Sequence, residues 1–335
     1  MNLSDRLPEA FSAALDLPLV AAPMFLVSGI DLIAVACLNG VIGSMPSGNA
    51  RTPDMFDEML AGLTARLAGK RAAPWAINLV AHRTNARLKP DLDICVKYRA
   101  PLVITALGGP QAVVEAVHSY GGLVFADVNS PAYARKAAAW GVDGLVLVCA
   151  GAGGHTGPMA MPAFIATVRE FWQGIICVAG AMTDGASLRA AQIMGADLVY
   201  MGTRFIATQE SLAVQDYKQM LVDSKFEDIM LTDKVTGAWS NKLRPSLVRV
   251  GLDPDNLADR GKFDLSNREN DIKAWKHLWS AGQGVGQIKA IEPAATVIDR
   301  IKHEYACCID AELDDCWVNR HLDRQSENKL RRSAM

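Results

Sequence analysis

Over about the first two thirds of the chain, short apolar runs alternate with longer amphipathic stretches. The runs occupy residues 19–22, 41–44, 75–79, 102–106, 123–127, 145–148, 175–179 and 198–201. They are apolar, with β-branched residues in most, and too short for a buried helix, so each predicts a strand covered on both faces. Between them, residues 53–67, 110–119, 131–140 and 187–194 carry apolar side chains at helical spacing. Pro53, Pro110 and Pro131 stand where the first turn of a helix accepts proline. Eight strands in strict β–α alternation predict an α/β fold, a (β/α)8 TIM barrel, with an open doubly wound sheet as the alternative.

An internal echo supports the count. The segments from Ala137 to Asp143 and from Ala190 to Asp197 each end a helix at a glycine and lead through an aspartate into the sixth and eighth runs. Both aspartates read as structural turns rather than catalytic acids. After residue 213 the strand alternation stops. The pattern divides the chain into a barrel over residues 1–213, a smaller and mainly helical lobe over 214–275 on the substrate side, a return segment over 276–310 that completes the pocket and barrel, and a charged tail over 311–335. A lobe over the carboxyl ends of the strands would help to close a pocket.

The 335 residues are half apolar and carry a net charge of −2, with acids and bases interspersed. No basic stripe suggests nucleic acid or a polybasic membrane surface, so the expected partner is a small molecule. The N-terminus lacks the basic-then-apolar order of a signal peptide, and glycines and prolines break the longest uncharged span, so the expected location is cytoplasmic, with no membrane segment. The seven cysteines include Cys37, Cys95, Cys149 and Cys177 in apolar segments, which fits reduced thiols better than disulfides. Cys307, Cys308 and Cys316 lack a zinc-type spacing, and no metal is expected. The oligomeric state stays open, with a homodimer as the candidate assembly.

The stretch Gly144-Leu-Val-Leu-Val-Cys-Ala-Gly-Ala-Gly-Gly-His-Thr-Gly157 is a buried-type strand running into a glycine cluster that holds His155. In parallel α/β folds, ligands bind outside the carboxyl ends of the strands. Gly151, Gly153, Gly154 and Gly157 would let backbone approach a flat or anionic ligand. A lone histidine is often only a hydrogen-bonded structural residue, but the glycines around His155 favour function. The seventh and eighth runs end in Gly180-Ala181 and Gly202-Thr203, where barrels of this kind commonly bind phosphate through backbone N–H groups. No G-x-G-x-x-G fingerprint is present, since the glycines of Gly282-Gln-Gly-Val-Gly286 have the wrong spacing. These residues alone also admit a flavin-free phosphate-ligand barrel.

Six motifs occur in order across roughly residues 17 to 290: Ala21-Ala-Pro-Met24, Ala76-Ile-Asn78, Ala152-Gly-Gly-His-Thr-Gly157, Gly180-Ala-Met-Thr-Asp-Gly185, Met201-Gly-Thr-Arg-Phe205 and Ser280-Ala-Gly-Gln-Gly284. Together they closely resemble the nitronate monooxygenase family, formerly called 2-nitropropane dioxygenases. The resemblance implies an FMN-binding barrel with a lobe beside the flavin and a histidine facing the substrate. It places Ala22, Pro23 and Met24 beside the isoalloxazine and Asn78 in contact with it. It places Gly180, Ala181, Gly202 and Thr203 at the phosphate, Gly153 and Gly154 near the cofactor, and Gln283 on a loop reaching back over the pocket. His155 takes the catalytic position, where an imidazole can accept a proton α to a nitro group or, when protonated, hold an anion.

The chain departs from the family pattern at two positions. Asp127 stands where a lysine or other non-acidic residue is frequent near the flavin, and Val148 where a polar side chain is frequent. A carboxylate there would not stabilise an anionic reduced flavin. Asp127 is therefore expected either to be protonated or paired, with Arg204 or Lys136 as candidates, or to point away and cap the helix beginning near Pro131. Oxidation of alkyl nitronates with O2 is the leading expectation. The alternative is NAD(P)H-dependent reduction of a quinone or an enoyl thioester on the same FMN scaffold.

Overall fold

The computed structural model describes residues 6–258 and 276–321. Its strands in chain order are β1 (Leu19–Ala21), β2 (Ile42–Pro46), β3 (Trp75–Val80), β4 (Leu102–Ala106), β5 (Leu123–Val128), β6 (Gly144–Val148), the two-residue β7 (Gly154–His155), β8 (Ile175–Ala179) and β9 (Leu198–Met201). All but β7 form a closed parallel barrel in the order β1-β2-β3-β4-β5-β6-β8-β9, and Leu19 opposite Val199 seals the ring. Closure rules out the open doubly wound sheet, and each barrel strand lies on one of the eight apolar runs.

Alternation along the strands explains why the runs are apolar throughout. Val20, Ile42, Ala76, Ile104, Phe125, Val146, Cys177 and Tyr200 point inward and form one cluster. Their neighbours, such as Ala21, Ile77, Val103, Val124, Leu147, Ile176 and Val199, pack outward against the helices. Leu7, Phe11 and Leu15 join the inward cluster together with the strand-start residues Leu123, Ile175 and Leu198, so the N-terminal segment plugs the lower end of the barrel. Chemistry is left to the upper end.

Helix starts follow local chemistry. Thr52 caps Pro53–Leu67 by accepting from Met55 N, and Ser130 caps Pro131–Ala139 by accepting from Tyr133 N. Asp184 caps Gly185–Ile193 in a reciprocal capping box with Ser187. The long helix Ala294–Leu313 packs against Gly185–Ile193 and Ile30–Leu38 and closes the outer layer. Gly185 permits this approach, because a Cβ there would lie 2.2 Å from Tyr305 N.

The two echoed aspartates perform the same task. Asp143 accepts from Val124 N at the foot of β5 (2.7 Å), and Asp197 accepts from Ile176 N at the foot of β8 (2.8 Å). Each therefore ties one strand to the start of the next. Asp197 also pairs with Arg6 (2.9 Å) and Arg169 (2.6 Å).

The lobe contains helices Gln215–Asp223 and Arg244–Arg249, and also two strands that the sequence reading did not single out, β10 (Ile229–Thr232) and β11 (Ser240–Leu243). They pair antiparallel, and β11 pairs in turn with β7, making a small sheet that reaches onto the barrel mouth. Both are four residues long, and β11 reads Ser-Asn-Lys-Leu, which carries no apolar signal. The stretch 259–275 of the lobe and the basic end of the tail, Lys329 to Met335, lie outside the described residues. No helix among the described residues is long and apolar enough to cross a membrane.

The two aspartates should differ in cost. Replacing Asp197 by alanine strands two partly buried guanidinium groups and a buried N–H, an effect of about 3–5 kcal/mol. Replacing the more exposed Asp143 should cost about 1–2 kcal/mol. Thermal melts of the two variants should rank in that order, and equal melting temperatures would refute the assignment.

Candidate active site

The upper end of the barrel is organised around the backbone of the loop that follows β6. The carbonyl of Gly151 accepts from Ala181 N (3.3 Å) and from Gln283 N (3.0 Å). It thus joins the loop after β6 to the loop after β8 and to the return segment. Thr203, after β9, accepts from Gly282 N through Oγ1 (2.8 Å). These approaches leave no room for side chains. A Cβ on Gly153 would lie 2.7 Å from Gly282 N, and one on Gly282 would lie 2.8 Å from the Gly151 carbonyl oxygen. Gly180 and Gly151 have φ of 136° and 90°, and Ala181 holds a left-handed φ of 55°. Gly180, Ala181, Gly153, Thr203 and Gln283 are thereby brought into one backbone cradle.

The end of β1 forms another wall. Ala22 N donates to Met201 O (3.0 Å), and Gly202 lies against Ala22 and Met24, whose side chains come nearest to where its Cβ would be (3.6–3.8 Å). The turn after Pro23 is fixed by two residues that the sequence reading did not single out. Ser28 accepts from Met24 N (3.0 Å), and Asn49 accepts from Leu26 N (2.8 Å) while donating to the carbonyls of Met24 and Ser28. Leu26 has φ of 61°, a strained value for a branched side chain that this bonding holds in place.

The uppermost inward layer carries Asn78 from β3 and Asp127 from β5. Asn78 donates to Ile104 O (3.3 Å). Asp127 lies on the same face of β5 as the inward-facing Phe125. It does not cap the following helix, because Ser130 does. Neither proposed partner meets it. Arg204 pairs with Glu292 (3.5 Å), and the Lys136 ammonium sits 5.5 Å from the centre of the Tyr133 ring. Asp127 Oδ1 and the hydroxyl of Tyr200 on β9 are both shut off from solvent without a hydrogen bond. Burial pushes the Asp127 carboxyl up to about 7, and burial plus the Asp127 charge raises the Tyr200 phenol. Of the expected states for Asp127, the protonated one fits.

His155 belongs to β7, opposite Ser240 of β11. The lobe strand therefore sets the histidine's position. Asn241 Nδ2 donates to Ala152 O (2.7 Å), and Thr156 Oγ1 donates to Cys149 O (3.0 Å), so the loop is stapled on both sides of the glycines. Burial, followed by the charge of Lys242, lowers the His155 imidazole to about 4. Lys242 is itself fully buried on β11, and burial lowers its amine to about 7. At neutral pH His155 is thus uncharged, and it would hold an anion as a cation only in acid.

Asn241, Lys242, Ser28 and Asn49 were not legible as site residues. Asn241 and Lys242 sit in the polar stretch of the lobe, where no motif or hydrophobic period marks them. Ser28 and Asn49 act on backbone from outside the six motifs.

The sequence profile of the nitronate monooxygenase family matches residues 67–255. A relative from Mycobacterium tuberculosis, named (3aS,4S,5R,7aS)-5-hydroxy-7a-methyl-1-oxo-octahydro-1H-indene-4-carboxyl-CoA dehydrogenase, is 28% identical over 246 residues, covering 72% of this chain and 67% of its own. A nitronate monooxygenase from Paraburkholderia phytofirmans is 25% identical over 345 residues, covering 87% of this chain and 92% of its own. Among solved structures, a nitroalkane oxidase from Streptomyces ansochromogenes shares the fold with a TM-score of 0.75 at 24% identity, covering 90% of this chain and 99% of its own. The closed barrel, the glycine cradle around His155 and a profile match over more than half the chain make this protein an oxidoreductase of the nitronate monooxygenase family.

Proposed function

We propose that the protein binds FMN at the barrel mouth and uses it, with O2, to oxidise an alkyl nitronate to a carbonyl compound and nitrite. The observation that carries this reading is the cradle in which positions 151, 153, 180 and 282 admit no Cβ without collision or strain. Such a surface lets a phosphate and a planar ring approach the backbone closely. Gly180, Ala181, Gly202 and Thr203 would hold the phosphate. Ala22, Pro23, Met24, Asn78, Gly153, Gly154 and Gln283 would line the ring. The unbonded buried atoms Asp127 Oδ1, Tyr200 OH and Ser280 Oγ are the kind of polar group that a bound cofactor satisfies. When bound, FMN supplies the redox chemistry that no side chain here can provide.

The state of His155 bears on the substrate. An imidazole lowered to about 4 is a weak base and removes a proton poorly from a neutral nitroalkane. A nitronate has already lost that proton, and an uncharged His155 can orient it by hydrogen bonding. A second reading, NAD(P)H-dependent reduction of a quinone or an enoyl thioester, is favoured by one observation. The relative named as a carboxyl-CoA dehydrogenase is more similar, at 28%, than the nitronate monooxygenase at 25%.

The purified protein should carry or take up FMN and be yellow, and a protein that gains no flavin on incubation would refute the proposal. Anaerobic mixing with propyl-2-nitronate or propionate 3-nitronate should bleach the flavin, whereas bleaching by NADH alone would favour the second reading. His155→Ala should retain FMN and slow bleaching by about 10- to 100-fold, the loss of one hydrogen bond to a charged group at about 1.5–3 kcal/mol. Normal turnover in that variant would make His155 structural.

Asp127 gives a pH signature. Its folded value is raised above the ordinary 3.8, so its stabilising contribution is complete below about pH 4 and is lost as pH rises toward about 7, at up to about 1.4 kcal/mol per pH unit. In the flavin-free protein, Asp127→Asn should remove that decline. In the flavin-loaded protein the two should share a midpoint potential below about pH 6. Above pH 8 the wild type should lie lower, by tens of millivolts on a scale of about 30–59 mV per tenfold. Coincident potentials across this range would mean that Asp127 does not tune the flavin.

A further inference from the structure

Lys242 has no exposed surface, and its environment is built by the lobe. In the β7–β11 pair, Ser240 stands opposite His155. Paired residues share a face of a sheet, as do residues two apart on one strand, so His155, Ser240 and Lys242 project to the same side. Lys242 is then the diagonal neighbour of His155, at a separation that long side chains span. Its Nζ donates to the Leu278 carbonyl of the return segment (3.4 Å), so the ammonium is retained in the interior.

Among the described residues, the other groups around this face bring little charge. From β10, Met230 and Thr232 lie opposite Lys242 and Ser240. From the helix Arg244–Arg249, Ser246 accepts from Trp279 N, Arg244 turns outward to pair with Asp255, and Arg249 stacks on Trp279. From the return segment, His277 uses its carbonyl to accept from Ser246 and Arg249. Lys242 is the charge that adds to burial in disfavouring the His155 imidazolium. Two like charges this close in a dry site cannot both persist, and the more basic amine keeps the proton.

We propose that Lys242 is a positioning residue for His155: its amine carries the positive charge of this part of the pocket and thereby holds the imidazole uncharged toward the substrate. This rests on the reading of His155 as the group that faces the substrate. It makes a strand of the lobe, rather than the barrel, responsible for the histidine's charge state. Below about pH 7, where the amine is protonated, an anionic substrate would then meet a cation behind a neutral hydrogen-bonding ring.

The test is the titration of His155 by NMR in the full-length protein as purified, its resonance assigned by loss in His155→Ala. Lys242→Met conserves volume while deleting the charge. Wild-type His155 should remain uncharged at pH 5. In Lys242→Met its titration should move up by as much as about one pH unit, with burial holding it short of the free value near 6.5. Lys242→Gln should show the same shift and replaces Lys242→Met if that variant does not fold. An unmoved titration in a folded variant overturns the proposal, whatever happens to its melting temperature. Where a nitronate bleaches the flavin, the acid limb of kcat/KM should move up by the same amount, with the flavin still bound. If no nitronate bleaches the flavin, the substrate reading fails, and the NMR titration still decides the role of Lys242.

Discussion

The carbonyl of Gly151 is the point on which the upper face of this barrel depends. It accepts from Ala181 N and Gln283 N, so a single acceptor joins the loop after β6, the loop after β8 and a segment that arrives over a hundred residues later in the chain. Satisfying a buried carbonyl twice fixes three backbones at contact distance, and that distance excludes Cβ atoms. The glycines at 153, 180 and 282 follow from this constraint rather than from flexibility. A Cβ at any of them would meet backbone at 2.7 or 2.8 Å. Packing of this kind builds a surface of closely set backbone at the barrel mouth.

Burial then decides the charge of the polar groups that remain. Asp127, His155 and Lys242 differ in chemistry, yet in each case desolvation is the largest influence and pushes toward the neutral form. Near pH 7 the mouth holds an acid close to half protonated, a neutral imidazole and an amine close to its own midpoint. Such a site is nearly uncharged but can respond to an incoming charge, because small electrostatic changes move Asp127 and Lys242 across their transitions. The acid and the amine lie on different bodies of structure, one inside the barrel and the other on the lobe sheet.

Much of the barrel was legible because its strands are buried on both faces. That geometry writes short continuous apolar runs, and the eight runs coincide with the eight barrel strands to within about two residues at each end. The turn aspartates were legible for a similar reason, since Asp143 and Asp197 repeat in equivalent places and make equivalent bonds to Val124 and Ile176. The orientation of Asp127 was less accessible. A residue one position from a strand end can cap a helix or face the core, and only the presence of Ser130 as the actual cap resolves the choice. Strand β11 was invisible because its stability comes from pairing with β10 and β7 and from Asn241 reaching Ala152, which are nonlocal contacts with no periodic trace, and β10, an isolated and mostly apolar run of four, was not singled out in the polar mix of the lobe.

That nonlocal pairing couples the lobe to the chemistry through register. Side-chain direction in a strand has a period of two, so slipping β11 by one residue against β7 would turn Ser240 and Lys242 to the opposite face and bring Asn241 beside His155. The Asn241 bond to Ala152 opposes such a slip, since it exists only when Asn241 faces the barrel loop. Leu243 N, bonded to Trp279 O, and the stacked pair of Tyr217 and Trp279 hold the other end of β11. Tyr217 OH reaches further, donating to Ser280 O (2.5 Å) in the segment that leads to Gly282 and Gln283. The register of a four-residue strand is therefore fixed by the same return segment that bonds to Gly151, and the position of His155 and the shape of the backbone cradle are set together.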